Sequence, residues 1–212
     1  MWSDLARPWQ VCFELAWEAY CNDCIPIGAV VTDADGDILS KGRNRIYTKS
    51  PLYDHPAGNE LANAEVEALQ GFRYGPVDQH TCILYTSTEP CPMCMGTFYM
   101  SGLRTLHYAS RDPYAGSANM LGTTWYLSRK PIKVSGPNPL LEPVLTALFV
   151  EQELNFHGGK LPDSLFWEMY QKALPGGFAL GQSLYDQESL KTMRKSKIDA
   201  SEVYDRLALT AG

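Results

Sequence analysis

No run of apolar residues in this chain is long enough to span a bilayer, and residues 1–10 lack the basic-then-apolar order of a secretion signal. A soluble cytoplasmic protein without membrane contact is therefore expected. Positive charge is scarce as well, with 18 lysines and arginines against 24 acids and a formal net charge of −6. Nucleic-acid binders usually carry a basic face, so this balance weighs against such a partner. Two local groups run against it: Arg43, Arg45, Lys49, Arg104 and Arg111 near predicted loops, and the run Lys191, Arg194, Lys195 and Lys197. A charge run is more often a solvated face. Six cysteines without a secretion signal argue for thiols and metal rather than a disulfide framework. What the chain does have is bulk: 212 residues with 45% hydrophobic content can bury one full core, or one domain plus an extension.

Val11, Leu15, Ala16 and Ala19 recur at helical spacing and predict a helix over residues 8–20. Apolar and β-branched runs at 28–32 and 38–41, joined by Asp33-Ala34-Asp35-Gly36-Asp37, predict a hairpin. Residues 43–63 form a long polar loop of the kind that tends to carry function. Beyond it a helix over 64–70, a buried strand over 81–86, a helix over 92–101 with Pro92 in its first turn, and a strand over 105–109 follow. That alternation implies an α/β chain with a mixed sheet and helices on its faces.

The chemistry concentrates at Pro90-Cys91-Pro92-Met93-Cys94. Two cysteines at i and i+3 in the first turn of a helix point to one side, and the helix N-terminus favours the thiolates that zinc requires. They form a preset half-site. Asn63 and Glu65 would approach from the start of the preceding helix, their spacing letting one face the metal and the other its water. Each has a plainer reading: Glu65 as a solvated helix residue like Glu67, Asn44 as a turn asparagine, His107 as core. Cys21 and Cys24 share the spacing without a helix start or a partner carboxylate, and read as core or turn cysteines.

Five features in order, namely the opening helix, Ile25-Pro26-Ile27-Gly28-Ala29-Val30-Val31, Gly42-Arg43-Asn44-Arg45, Ala64-Glu65 and Thr88-Glu89-Pro90-Cys91-Pro92-Met93-Cys94, resemble the cytidine deaminase superfamily. Within it the likeness is to the nucleoside and nucleobase deaminases, among them bacterial guanine deaminase and tRNA adenosine deaminase, and it covers roughly residues 9–121. The resemblance implies a three-layer cytidine-deaminase-like fold over 1–130, a zinc cofactor, a homodimer, and hydrolytic removal of an amine from a purine or related nucleobase or nucleoside. Glu65 would shuttle protons, Cys91 and Cys94 would hold zinc, and Asn44 with the backbone amides of Ala64 and Cys91 would meet the substrate. The acidic balance places tRNA behind a free base or nucleoside.

One position departs. In the pattern H-x-E…P-C-x-x-C the first ligand is histidine, and here it is Asn63. Zinc prefers nitrogen and sulfur donors to a neutral amide oxygen, so affinity should fall. Three arrangements are open: Asn63 binds through its oxygen, His55 replaces it from the preceding loop, or the site is empty and the protein binds a ligand or partner without turnover. Retention of Glu65 favours an enzyme of altered metal affinity.

After residue 130 the resemblance ends. Pro137-Asn138-Pro139 marks a boundary, and 140–156, 165–174 and 184–209 read as helices separated by Gly158-Gly159 and Pro175-Gly176-Gly177. Phe149, Phe166, Trp167 and Tyr170 make this 131–212 extension too apolar for free solvent. It is expected to pack on the core or a second subunit and to border the pocket.

Overall fold

Period-two burial builds the centre of the protein. In the computed structural model, which describes residues 1–49, 57–73, 75, 77–162 and 164–211, Ala29, Val31, Leu84 and Leu106 face one side of a sheet while Val30 and Tyr85 face the other. The sheet has five strands in the order β2-β1-β3-β4-β5. They are β1 (Gly28–Thr32), β2 (Ile38–Arg43), β3 (Ile83–Thr88), β4 (Thr105–Ser110) and β5 (Lys133–Ser135). β1 runs antiparallel to both β2 and β3, whereas β3, β4 and β5 are parallel. The mixed, helix-flanked α/β sheet expected from the sequence is thus present.

Helices cover both faces. α1 (Arg7–Cys21) lays Val11, Cys12 and Leu15 on Val30. On the opposite face α2 (Ala64–Gly71) and α3 (Pro92–Met100) bring Ala64, Ala68, Met95 and Phe98 against Val31, Leu84 and Leu106. Two glycines set the distances. A Cβ on Gly28 would lie 2.3 Å from the Cys12 carbonyl oxygen, and one on Gly42 would lie 2.4 Å from the Ala64 carbonyl oxygen. No L-side chain fits there without moving a helix.

The stretch beyond β5 forms α4 (Glu142–Phe156), α5 (Leu165–Ala173), α6 (Pro175–Asp186), α7 (Ser189–Lys195) and α8 (Ala200–Ala211). Leu141, Val144, Leu145 and Leu148 join Phe13, Ala16 and Tyr20 of α1 in one buried cluster that also takes in Leu190, Val203 and Tyr204. The sequence expectation differs in two places. Pro175-Gly176-Gly177 is not a separator but the first turn of α6: Pro175 occupies a position with no N–H to lose, and Gly177 and Gly181 let α6 close on Thr146 and Val150 of α4. The stretch 184–209 is not one helix, because Glu188 and Lys197 adopt left-handed conformations at φ 50° and 53° and break it. No described helix is long and apolar enough to cross a membrane.

α4 carries a buried carboxyl. Glu151 accepts a 2.7 Å hydrogen bond from the Tyr20 hydroxyl, but its Oε1 and the nearby Asn155 Oδ1 are buried acceptors without a donor. Burial pushes the Glu151 carboxyl above its ordinary range. Its folded-state proton is therefore held more tightly than the unfolded one, and stability falls as pH rises past the ordinary carboxylate value.

Two outcomes follow from the packing. Gly42→Ala should destabilise the chain by about 1–3 kcal/mol in urea unfolding, since the new methyl overlaps backbone rather than a flexible side chain. Glu151→Gln should raise the melting temperature at pH 8 and leave it nearly unchanged at pH 4, because its amide supplies a donor and removes the buried charge.

Candidate active site

Parallel pairing of β3 and β4 puts their C-terminal ends on one edge of the sheet, where ligands of open α/β sheets tend to bind. There the starts of α2 and α3 meet. Cys91 is the residue capping α3, with Pro92 next to it, and Asn63 caps α2. Asparagine at such a position normally accepts from the helix amides. Asn63 makes no such bond: its Oδ1 accepts from Asn44 Nδ2 at 3.3 Å, and its Nδ2 donates to the Glu60 carbonyl at 3.3 Å.

Glu65, in the first turn of α2, is 3% exposed. Thr86 Oγ1 donates to its Oε1 at 2.9 Å and Cys94 Sγ to its Oε2 at 3.3 Å. Burial raises its pKa, an effect the two donors only partly oppose. The two thiols titrate as a pair. The Cys94 S–H and the first backbone amides of α3 stabilise a Cys91 thiolate, pushing its pKa down to about 6, while the proton stays on Cys94 between the Cys91 sulfur and the Glu65 carboxylate.

Asn63, Glu65, Cys91 and Cys94 all line one cavity of about 510 Å³. Asn44 and Ala64 lie behind its surface, both fully buried, and the Asn44 Oδ1 accepts from the Ile46 amide at 3.1 Å. His55 falls outside the described residues. His107 stacks on Tyr85 on the α1 face, with ring centres 5.0 Å apart. Glu67 corrects the reading of a solvated residue: it is buried, accepting from the Arg43 amide and Arg45 Nε at 3.0 Å each. Cys21 and Cys24 are free thiols.

The other half of the cavity wall comes from the extension expected to border the pocket, although the sequence did not assign which of its residues would do so. Leu145, Phe149 and Glu153 of α4 and Phe166 and Tyr170 of α5 line it. The signal was the surplus of aromatic residues in a segment with no deaminase motif.

The sequence and the fold have counterparts among known proteins. The signature of the cytidine and deoxycytidylate deaminase zinc-binding region matches residues 3–110. The chain belongs to that family. It is 36% identical over 95 residues to guanine deaminase of Bacillus subtilis (strain 168), covering 44% of this chain and 55% of that protein. To a tRNA-specific adenosine deaminase of Agrobacterium fabrum it is 34% identical over 96 residues, covering 45% and 59%. The chain thus spans little more than half of these relatives. A solved guanine deaminase from Nitrosomonas europaea shares the fold, with a TM-score of 0.51 and 24% identity over 69% of this chain and 84% of that one.

The family implies zinc, and the donor set can be weighed against it. Two sulfurs at a helix start, one already a thiolate near neutral pH, suit zinc. Among the described residues no three His, Cys, Asp or Glu side chains converge as a metal-binding group. The donors therefore fit zinc through sulfur, with the Asn63 amide as the remaining neighbour.

Thr86→Val keeps the shape of the site but removes one donor from a buried carboxylate. It should cost about 1–3 kcal/mol in chemical unfolding, whereas the same exchange at exposed Thr123 should cost far less.

Proposed function

We propose that this chain is a zinc-dependent hydrolytic deaminase that removes an amine from a purine or related nucleobase or nucleoside and releases ammonia. The observation that carries the reading is the convergence of a buried carboxylate and two cysteine sulfurs on the floor of one cavity of nucleoside dimensions. The guanine deaminase and tRNA adenosine deaminase relatives support an aminated purine.

In this proposal Cys91 and Cys94 hold the metal and the Asn63 oxygen completes the set, oriented by Asn44. Zinc, when bound, supplies Lewis acidity that makes water a nucleophile near neutral pH. Glu65 takes a proton from the attacking water and returns protons to the ring nitrogen and the departing amine, so water and the aminated ring become a carbonyl and ammonia. Its buried, raised carboxyl suits a group that must hold and release a proton in one cycle. The Asn44 amide and the Ala64 backbone would meet the base edge once a ligand displaces the bonds they now make. Homodimerisation belongs to the same proposal and rests on the family.

The second reading is a protein that binds a base without turning it over. It draws on the amide at position 63 and the absence of a three-ligand group among the described residues. A tRNA substrate is disfavoured by the acidic balance of the chain.

Elemental analysis of the purified chain beside Asn63→His separates the first two readings. Near one zinc per chain in both, with ammonia released from an aminated base and a loss of roughly 10²–10⁴-fold in Glu65→Gln, supports the enzyme. Zinc and activity confined to the histidine version would leave the unaltered chain a binder.

A further inference from the structure

The charge lining the cavity is lopsided. Glu60, Glu65, Glu89, Asp112 and Glu153 contribute carboxyls, and among the described lining residues Arg111 is the single cation. Arg111 is already engaged: its Nε and Nη2 donate to the two oxygens of Glu142 at 2.7 and 2.8 Å. Arg43 and Arg45 are bound to Glu18 and Glu67 and do not line the cavity.

Helix starts attract anions and could take a phosphate. Both here serve resident anions. Cys91 itself caps the start of α3, and the first turn of α2 carries Glu65 and Glu67. The Asp112 carboxylate takes the amides of Tyr114 and Ala115 at 3.0 and 2.9 Å, so those two donors are already engaged.

The opposite wall is aromatic. Phe149 and Phe166 pack around Tyr170 with ring centres 5.2 and 4.9 Å from its own, and all three line the cavity. Glu153 follows Phe149 by one helical turn and lines the same cavity. His157 Nε2, with which it pairs, lies 3.7 Å away and is not among the lining residues.

From this arrangement we infer that the pocket selects an unphosphorylated ligand, a free nucleobase or nucleoside stacked against the α4–α5 aromatic wall, and rejects the corresponding 5′-monophosphate through Glu153 and its neighbouring carboxylates. The inference rests on the reading of the cavity as a base-binding site and adds the class of ligand within it. Glu153 is then a specificity-determining residue outside the stretch that matches the deaminase family.

Calorimetric titration of the full chain with adenine, adenosine, guanosine, AMP and GMP tests it. Binding of the bases or nucleosides with each monophosphate roughly 100-fold weaker is expected, since like charges placed together without counterions oppose binding strongly. In Glu153→Gln, shown to be folded by its unchanged circular dichroism spectrum, the gap should narrow by about tenfold through tighter binding of the monophosphates. Equal affinity for nucleosides and monophosphates overturns the charge selection and leaves the base-binding reading standing. So does a gap that Glu153→Gln does not narrow, which would make the exclusion steric. Failure of all five compounds to bind overturns the base-binding reading itself, and the selection with it.

Discussion

A carboxylate kept almost wholly from water at the start of α2 constrains the site more than any other group. Leaving Glu65 unpaired there would cost several kcal/mol, and the chain offsets this with donors from two other elements, Thr86 on β3 and Cys94 on α3. Those bonds fix the relative positions of α2, β3 and α3. They exist only because α2 lies against the sheet, which in turn needs the bare backbone of Gly42 beneath Ala64 and Ala68. A second buried acid on the same helix, Glu67, secures the outer side of α2 by accepting from Arg43 and Arg45. The helix is held through its acids at one end and through Ala64, Ala68 and Leu69 along its apolar face.

The same carboxylate organises the thiols. With the Cys94 proton placed between Glu65 and Cys91, the Cys91 thiol is pushed toward its ionised form and the Cys94 thiol toward its protonated one. Binding a metal through both sulfurs must expel that proton, so metal affinity and proton release are coupled at the residue proposed to move protons. Asn63, the neighbouring amide, is held in place by Asn44 and the Glu60 carbonyl.

Most of the first half of the fold was legible because its signals are local. Helical spacing in α1, the Asp-Gly turn between β1 and β2, and Pro92 before Cys94 each act over a few residues, and the strands and helices came out within about two residues of their observed ends. What escaped depends on distant partners. β5 is three residues long and is defined by its pairing with β4, which no periodicity can reveal. The glycines of α6 look like a break in sequence and act as a contact surface for α4 in space. Glu67 looks solvated until Arg45, contributed by the loop after β2, is folded back onto it. At the site, the motif residues Asn63, Glu65, Cys91 and Cys94 were found in the sequence and share one cavity. The aromatic wall was not assignable by residue, since nothing local marks which side of α4 faces the sheet edge.

In the proposed enzyme, chemistry and selectivity would be carried by separate parts of the chain. Residues within the family match supply the carboxylate and the sulfurs, all fixed by the sheet edge and two helix starts. The helices after β5 supply the opposite wall of the cavity, and they are anchored independently, through Leu145 and Leu148 on α1 and through α6. Substitutions on the cavity side of α4 or α5 can change what fits without touching the hydrogen bonds that hold Glu65. In the proposed enzyme such an arrangement would let one reaction centre serve different amines. It also explains why the motifs identify the family readily while the substrate must be read from a segment that has no motif at all.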